Sequence, residues 1–145
     1  MRRNILLIFM SLFLLSCGTA SGIYKNPIIE ARTDKAQYSK VIFYNESDLG
    51  LYPSSNAIGM GIIMDGKYVT KLRWGRYIEI YVRKGLHELQ LYHWDVFKFT
   101  SRHKLELNED FYAIELYFKP FSNAYFIKKE LPPTFETDYV KVDFD

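Results

Sequence analysis

Cysteine is almost absent: Cys17 is the only one in 145 residues. A single thiol excludes an internal disulfide, so stability has to come from a packed core. The chain also lacks a hydrophobic run long enough to span a bilayer. Its longest, Ile5 to Leu15, would make a helix of roughly 16 Å, about half the hydrocarbon thickness. Excess charge is missing too, with 19 Lys and Arg against 17 Asp and Glu. Both surplus positives are Arg2 and Arg3, so beyond residue 16 the charges balance, and nothing in them calls for nucleic acid. No Gly-x-Ser-x-Gly elbow exposes a serine, and no carboxylates form a recognisable acid/base pair. Gly59-x-Gly61 lacks the third glycine and the helix of a dinucleotide loop. No cofactor is implied, and there is neither an internal repeat nor a low-complexity tract.

What is present begins with "MRRNILLIFMSLFLLS", two arginines before an apolar stretch, the pattern of a secretory signal over residues 1–16. The order Leu14-Leu15-Ser16-Cys17 resembles the lipobox of bacterial lipoproteins. That resemblance implies a diacylglyceryl group on the Cys17 thiol, cleavage just before it, and a chain held on a membrane by lipid. It also excludes Cys17 as a nucleophile. The alternative is an ordinary secretory signal with a chance cysteine. In such lipoproteins an aspartate after the cysteine favours the inner membrane. Here the residue is Gly18, which implies the outer membrane, periplasmic side, in a cell with two membranes.

Residues 17–39 show no sustained period and read as a tether. From residue 40 to 130 the periodicity is that of strands. "KVIFYN" is expected as a first strand, and "AIGMGIIM" and "KYVTKL" as a hairpin across Asp65-Gly66, a pair suited to positive φ. In "YIEIYV" the alternate residues Ile78, Ile80 and Val82 face inward; "LHELQLYHW" places Leu89 and Leu91 on one face. "FKFTSRHKLEL", the turn "NED" and "FYAIELYF" read as another hairpin, with Tyr112, Ile114, Leu116 and Phe118 in one inward row. "SNAYFIKKE" supplies a last strand. Aromatic residues make up 17% of the chain, a level that suits half-buried sheet surfaces. The expected fold is therefore an all-β antiparallel sandwich of seven to eight short strands. Gly59 and Gly61 share a strand face and signal either a bulge or close backbone approach, or a thin edge strand. The acidic tail, residues 131–145, either adds as an edge strand through "YVKVDF" or pairs with a partner by strand addition.

Two constellations carry chemistry. His93 and His103, on neighbouring strands, with Asp95 would make a minimal metal set, against the plainer reading of satisfied histidines in a sheet. His87 and His93 lie six residues apart on one strand, roughly 20 Å, too far to share an ion. Between Lys67 and Lys104, nine Lys and Arg face three acids, interleaved with aromatics. Arg73, Trp74, Arg76, Tyr77, Tyr92 and Trp94 form the candidate ligand face, suited to sugars or anionic headgroups. An ordinary solvated sheet face offers the same composition.

The order "VIFYN", "MDGKYVTKL", "YIEIYVRKGLHELQL" with its Gly85-x-His87 turn, and "LELNEDFYAIEL" resembles a family of small bacterial lipoproteins and secreted β-sandwich proteins of unknown function. The resemblance covers roughly residues 40–130 and rests on turns. It implies an envelope-facing sandwich and no catalytic residues. The function expected from these features is a lipid-anchored, non-catalytic module for an envelope protein or polysaccharide. The alternative is an envelope-polymer hydrolase or metal-dependent enzyme using His93, His103 and Asp95.

Overall fold

The computed structural model describes residues 22–46, 59–94, 97–119 and 122–144. Strands dominate them: β1 (Tyr38–Asn45), β2 (Met60–Met64), β3 (Lys67–Leu72), β4 (Arg76–Arg83), β5 (Gly85–Trp94), β6 (Lys98–Leu107), β7 (Phe111–Lys119), β8 (Ser122–Lys128) and β9 (Val140–Lys141). Two short helices flank them, α1 (Ile28–Thr33) and α2 (Phe135–Asp138), with a 3-10 turn at Lys35–Gln37. The protein is all-β, as the alternation of apolar and polar residues predicts.

The strands form two sheets, one of five in the order β8-β7-β1-β4-β9 and one of four in the order β3-β2-β5-β6. The inward residues expected on β4, β5 and β7 lie in one apolar cluster, where Ile78, Ile80, Val82, Ile114 and Leu116 meet Met60, Ile62, Leu89, Leu91 and Leu105. That cluster draws on both sheets. A second cluster covers the other face of the five-stranded sheet, where Phe135 of α2 packs on Ile42, Tyr44 and Ala113.

The Asp65-Gly66 hairpin forms as its sequence predicts, with φ of 49° and 74° at the two turn residues. Its ladder slips between Ile62 and Ile63, so Val69 is the extra residue of a bulge. The glycine signal has a separate cause. A Cβ on Gly61 would stand 2.2 Å from the Tyr92 ring, so glycine is what lets that ring lie across β2.

Three expectations are corrected. Pairing is mixed rather than antiparallel throughout: β1 runs parallel to β7, and β4 parallel to β9. The proposed hairpin of β6 and β7 does not form. The turn is there, since the Tyr112 hydroxyl accepts the backbone N–H groups of Asn108 and Glu109 at 2.8 and 3.0 Å. Its carbonyls, however, serve β1: Lys40 N–H donates to Asp110 and the Ser39 hydroxyl to Glu109. The chain therefore passes into the other sheet, while β6 spends its ladder on β5.

The third correction concerns the tether. From Gly22 onward the segment is docked. Tyr24 N–H donates to Tyr68 O and Tyr68 N–H to Gly22 O, both at 2.7 Å, which adds a parallel bridge beside β3. The Tyr24 hydroxyl donates to Tyr81 O at 2.6 Å, and Asn26 accepts from Tyr81 N–H at 2.8 Å. The segment thus connects an edge of one sheet to β4 of the other. The segment lacks a run of alternating apolar residues, which pointed to a linker; Gly22, Tyr24 and Asn26 dock it by hydrogen bonds instead. The tail takes the first of its two expected courses: Val140 and Val142 donate to Gly75 O and Tyr77 O, and Val142 and Phe144 pack on the core.

Candidate functional site

Strand parity decides what the four-stranded sheet shows outward. On β5 and β6 the facing pairs Trp94 with Lys98, Tyr92 with Thr100 and Gln90 with Arg102 point away from the core. Trp94 is 55% exposed, and Lys98, Thr100 and Arg102 are exposed as well. Tyr92 is half-buried because it lies on Gly61, and that burial pushes its phenol pKa up. The Lys98 ammonium sits 4.7 Å from the Tyr92 ring centroid, a cation–π contact. On β3, Lys71 pairs with Gly61, so its ammonium side chain belongs to the same face.

The six residues of the candidate ligand face are divided. Tyr92 and Trp94 stay together on the outward strip just described. Arg73 and Trp74 occupy the turn between β3 and β4, with Trp74 48% exposed. This turn lies at the same end of the sheet as Trp94, because Leu72 pairs with Met60 and Tyr92 with Gly61. Arg76 begins β4 beside Val140. Tyr77 leaves the group altogether: it faces outward from the five-stranded sheet, its ring 4.7 Å from Phe135. Sequence proximity grouped residues that the crossover between sheets separates.

The histidine constellation does not assemble. His93 pairs with Phe99 and His103 with Leu89, four residues apart in register, or about 13 Å. Asp95 and Cys17 lie outside the described residues. Among the described residues no group of three or more His, Cys, Asp or Glu could hold a metal ion. His93 instead donates from Nδ1 to Asn123 Oδ1 at 2.6 Å, and the Asn123 amide donates to Leu91 O and Phe99 O. His103 stands edge-on to Tyr125; its buried Nε2 has no partner among the described residues, and burial holds its pKa below the ordinary imidazole value. His87 is held by its neighbours, 2.7 Å from the Asp65 carboxylate and 2.7 Å from Arg83 O.

Two features escaped the sequence reading. Asn123 is 3% exposed and ties β8 to β5 and β6 across the two sheets. Its only signal is an asparagine at an inward strand position. On the far side of the five-stranded sheet, Glu46 and Glu115 interact beside Lys128, which pairs with Glu115 at 2.8 Å. Burial first, and the Glu115 charge second, push the Glu46 pKa up. Nothing in the spacing of residues 46 and 115 indicates that the parallel pairing of β1 and β7 makes them neighbours.

Among the described residues no helix is long and apolar enough to cross a membrane. Compared with protein-family models, curated proteins and solved structures, the chain matches none of them.

Proposed function

We propose that the protein is a lipid-anchored β-sandwich of the cell envelope that binds a partner without transforming it. The partner is an envelope polysaccharide or protein, and the membrane contact is the lipid on Cys17. The observation that carries the binding reading is the outward strip of Tyr92, Trp94 and Lys98, where an exposed tryptophan ring faces a lysine whose ammonium lies over the half-buried Tyr92. The sandwich arrangement is supported by the single core cluster drawn from both sheets and by the Asn123 bonds between them. The anchoring is supported by the Leu-Leu-Ser-Cys order after an apolar run of signal length. An outer-membrane position follows from Gly18 in a cell with two membranes.

Expression of the full chain in a bacterium with radiolabelled fatty acid tests the anchor. The wild type should incorporate label and sediment with membranes, while Cys17→Ser remains unprocessed and unlabelled. Normal processing and equal labelling of the variant would overturn the lipoprotein reading.

A further inference from the structure

The outward strip of β5 and β6 can be assigned a ligand class from its own chemistry. Resting on the binding-module reading above, we infer that Tyr92, Trp94, Lys98, Thr100 and Arg102 bind an anionic polysaccharide. Three observations converge. The strip alternates flat rings with cations: Trp94 faces Lys98 across the ladder, Lys98 covers the Tyr92 ring at 4.7 Å, and Arg102 lies two pairs further on. No acid occurs in the three facing pairs from Trp94–Lys98 to Gln90–Arg102; the first is Glu88, opposite Lys104. Lys71, exposed on the same face of β3, and Arg73, exposed in the turn after it, add positive charge at that end of the sheet.

That arrangement fits a chain of acidic sugars. A pyranose ring presents an apolar C–H face that stacks on a tryptophan, while its uronate, sulfate or phosphate groups take charge-assisted bonds from Lys and Arg. The Thr100 hydroxyl, between the two cations on β6, suits a sugar hydroxyl. A folded protein partner fits less well. Protein interfaces centre on a desolvated apolar core, and these facing pairs expose no aliphatic side chain. The Tyr92 ring, seated on Gly61 and covered by Lys98, holds that ammonium in place before the ligand arrives, and Trp94 supplies the open stacking face.

The test uses the full chain in detergent micelles, with immobilised polygalacturonate, neutral dextran, poly-glutamate and vesicles of anionic phospholipid as probes. The wild type should bind polygalacturonate, more weakly as salt rises, and should not bind dextran. Trp94→Ala removes an exposed ring and should weaken binding about tenfold with an unchanged melting temperature. Lys98→Glu with Arg102→Glu should abolish it. Three results would overturn the assignment: equal affinity for poly-glutamate, binding to vesicles alone, or full affinity in Trp94→Ala. Folded protein that binds none of the probes would also overturn it. The lipid-anchor reading would survive that outcome, since labelling of Cys17 is measured separately.

Discussion

Asn123 shows how much one polar side chain can do inside an apolar core. It receives a hydrogen bond from His93 and gives two to strand carbonyls, so the facing edges of both sheets are joined by one amide. Asn123→Ala removes the acceptor of the buried His93 N–H and a donor to two strand carbonyls, and an unsatisfied buried polar group costs about 1–3 kcal/mol. The expected loss is about 1–3 kcal/mol, read from the midpoint of urea unfolding. His103 makes the opposite case: its buried Nε2 has no partner among the described residues. Its pKa is lowered by burial in the folded state, so the unfolded chain binds the proton more tightly. Stability is therefore fully present above the ordinary histidine value of about 6.5 and falls as pH drops below it. His103→Phe should keep the ring beside Tyr125 and flatten the decline between about pH 7 and 5. Thermal melts of both proteins across that range check the sign; identical slopes would refute it.

The strands were legible where a period of two ran long enough to be counted. Ile78, Ile80 and Val82, and likewise Leu89 and Leu91, face the core as their spacing requires. The Asp65-Gly66 turn was legible because its positive φ angles need those residue types. Which strand lies beside which was not. Asn108 to Asp110 reverse the chain equally well for a hairpin or for a crossover, and only the carbonyls claimed by Lys40 and Ser39 decide the matter. The same ambiguity scattered the candidate site, because Tyr77 lies close to Trp74 in sequence but on the far side of a sheet. The docked N-terminal segment was illegible for a related reason: Tyr24 and Asn26 act through long-range hydrogen bonds, two apiece, to residues more than forty positions away. Its docking is open to a direct measurement. Lys25, Arg32 and Lys35 would be rapid tryptic sites in a free tether, whereas the bonded segment should resist cleavage until the domain unfolds. Mass spectrometry of a brief digest distinguishes the two, and early cuts at all three residues would contradict the docked arrangement.

For the whole molecule, that docking shortens the distance between anchor and domain. If Cys17 carries the lipid, only four residues, 18 to 21, separate it from Gly22, where the backbone is bonded to β3. Five Cα steps reach at most about 17 Å, against an r.m.s. span of roughly 25 Å for a flexible linker of some twenty residues. The domain is then held close to the bilayer at the edge beside β3, with β2 between that edge and β5 and with β6 at the opposite edge of the sheet. A fluorophore at position 67, next to the residue bonded to Gly22, reports the distance. On vesicles with a quencher on the lipid headgroups, lipidated protein labelled at Lys67→Cys should be strongly quenched. Inserting twenty Gly/Ser residues after Thr19 should relieve much of that quenching, because the added span exceeds the original reach. Equal quenching with and without the insert would mean that the anchor does not constrain the domain. Strong relief would show that the polysaccharide strip is carried on a domain held near the membrane surface, with little freedom to search away from it.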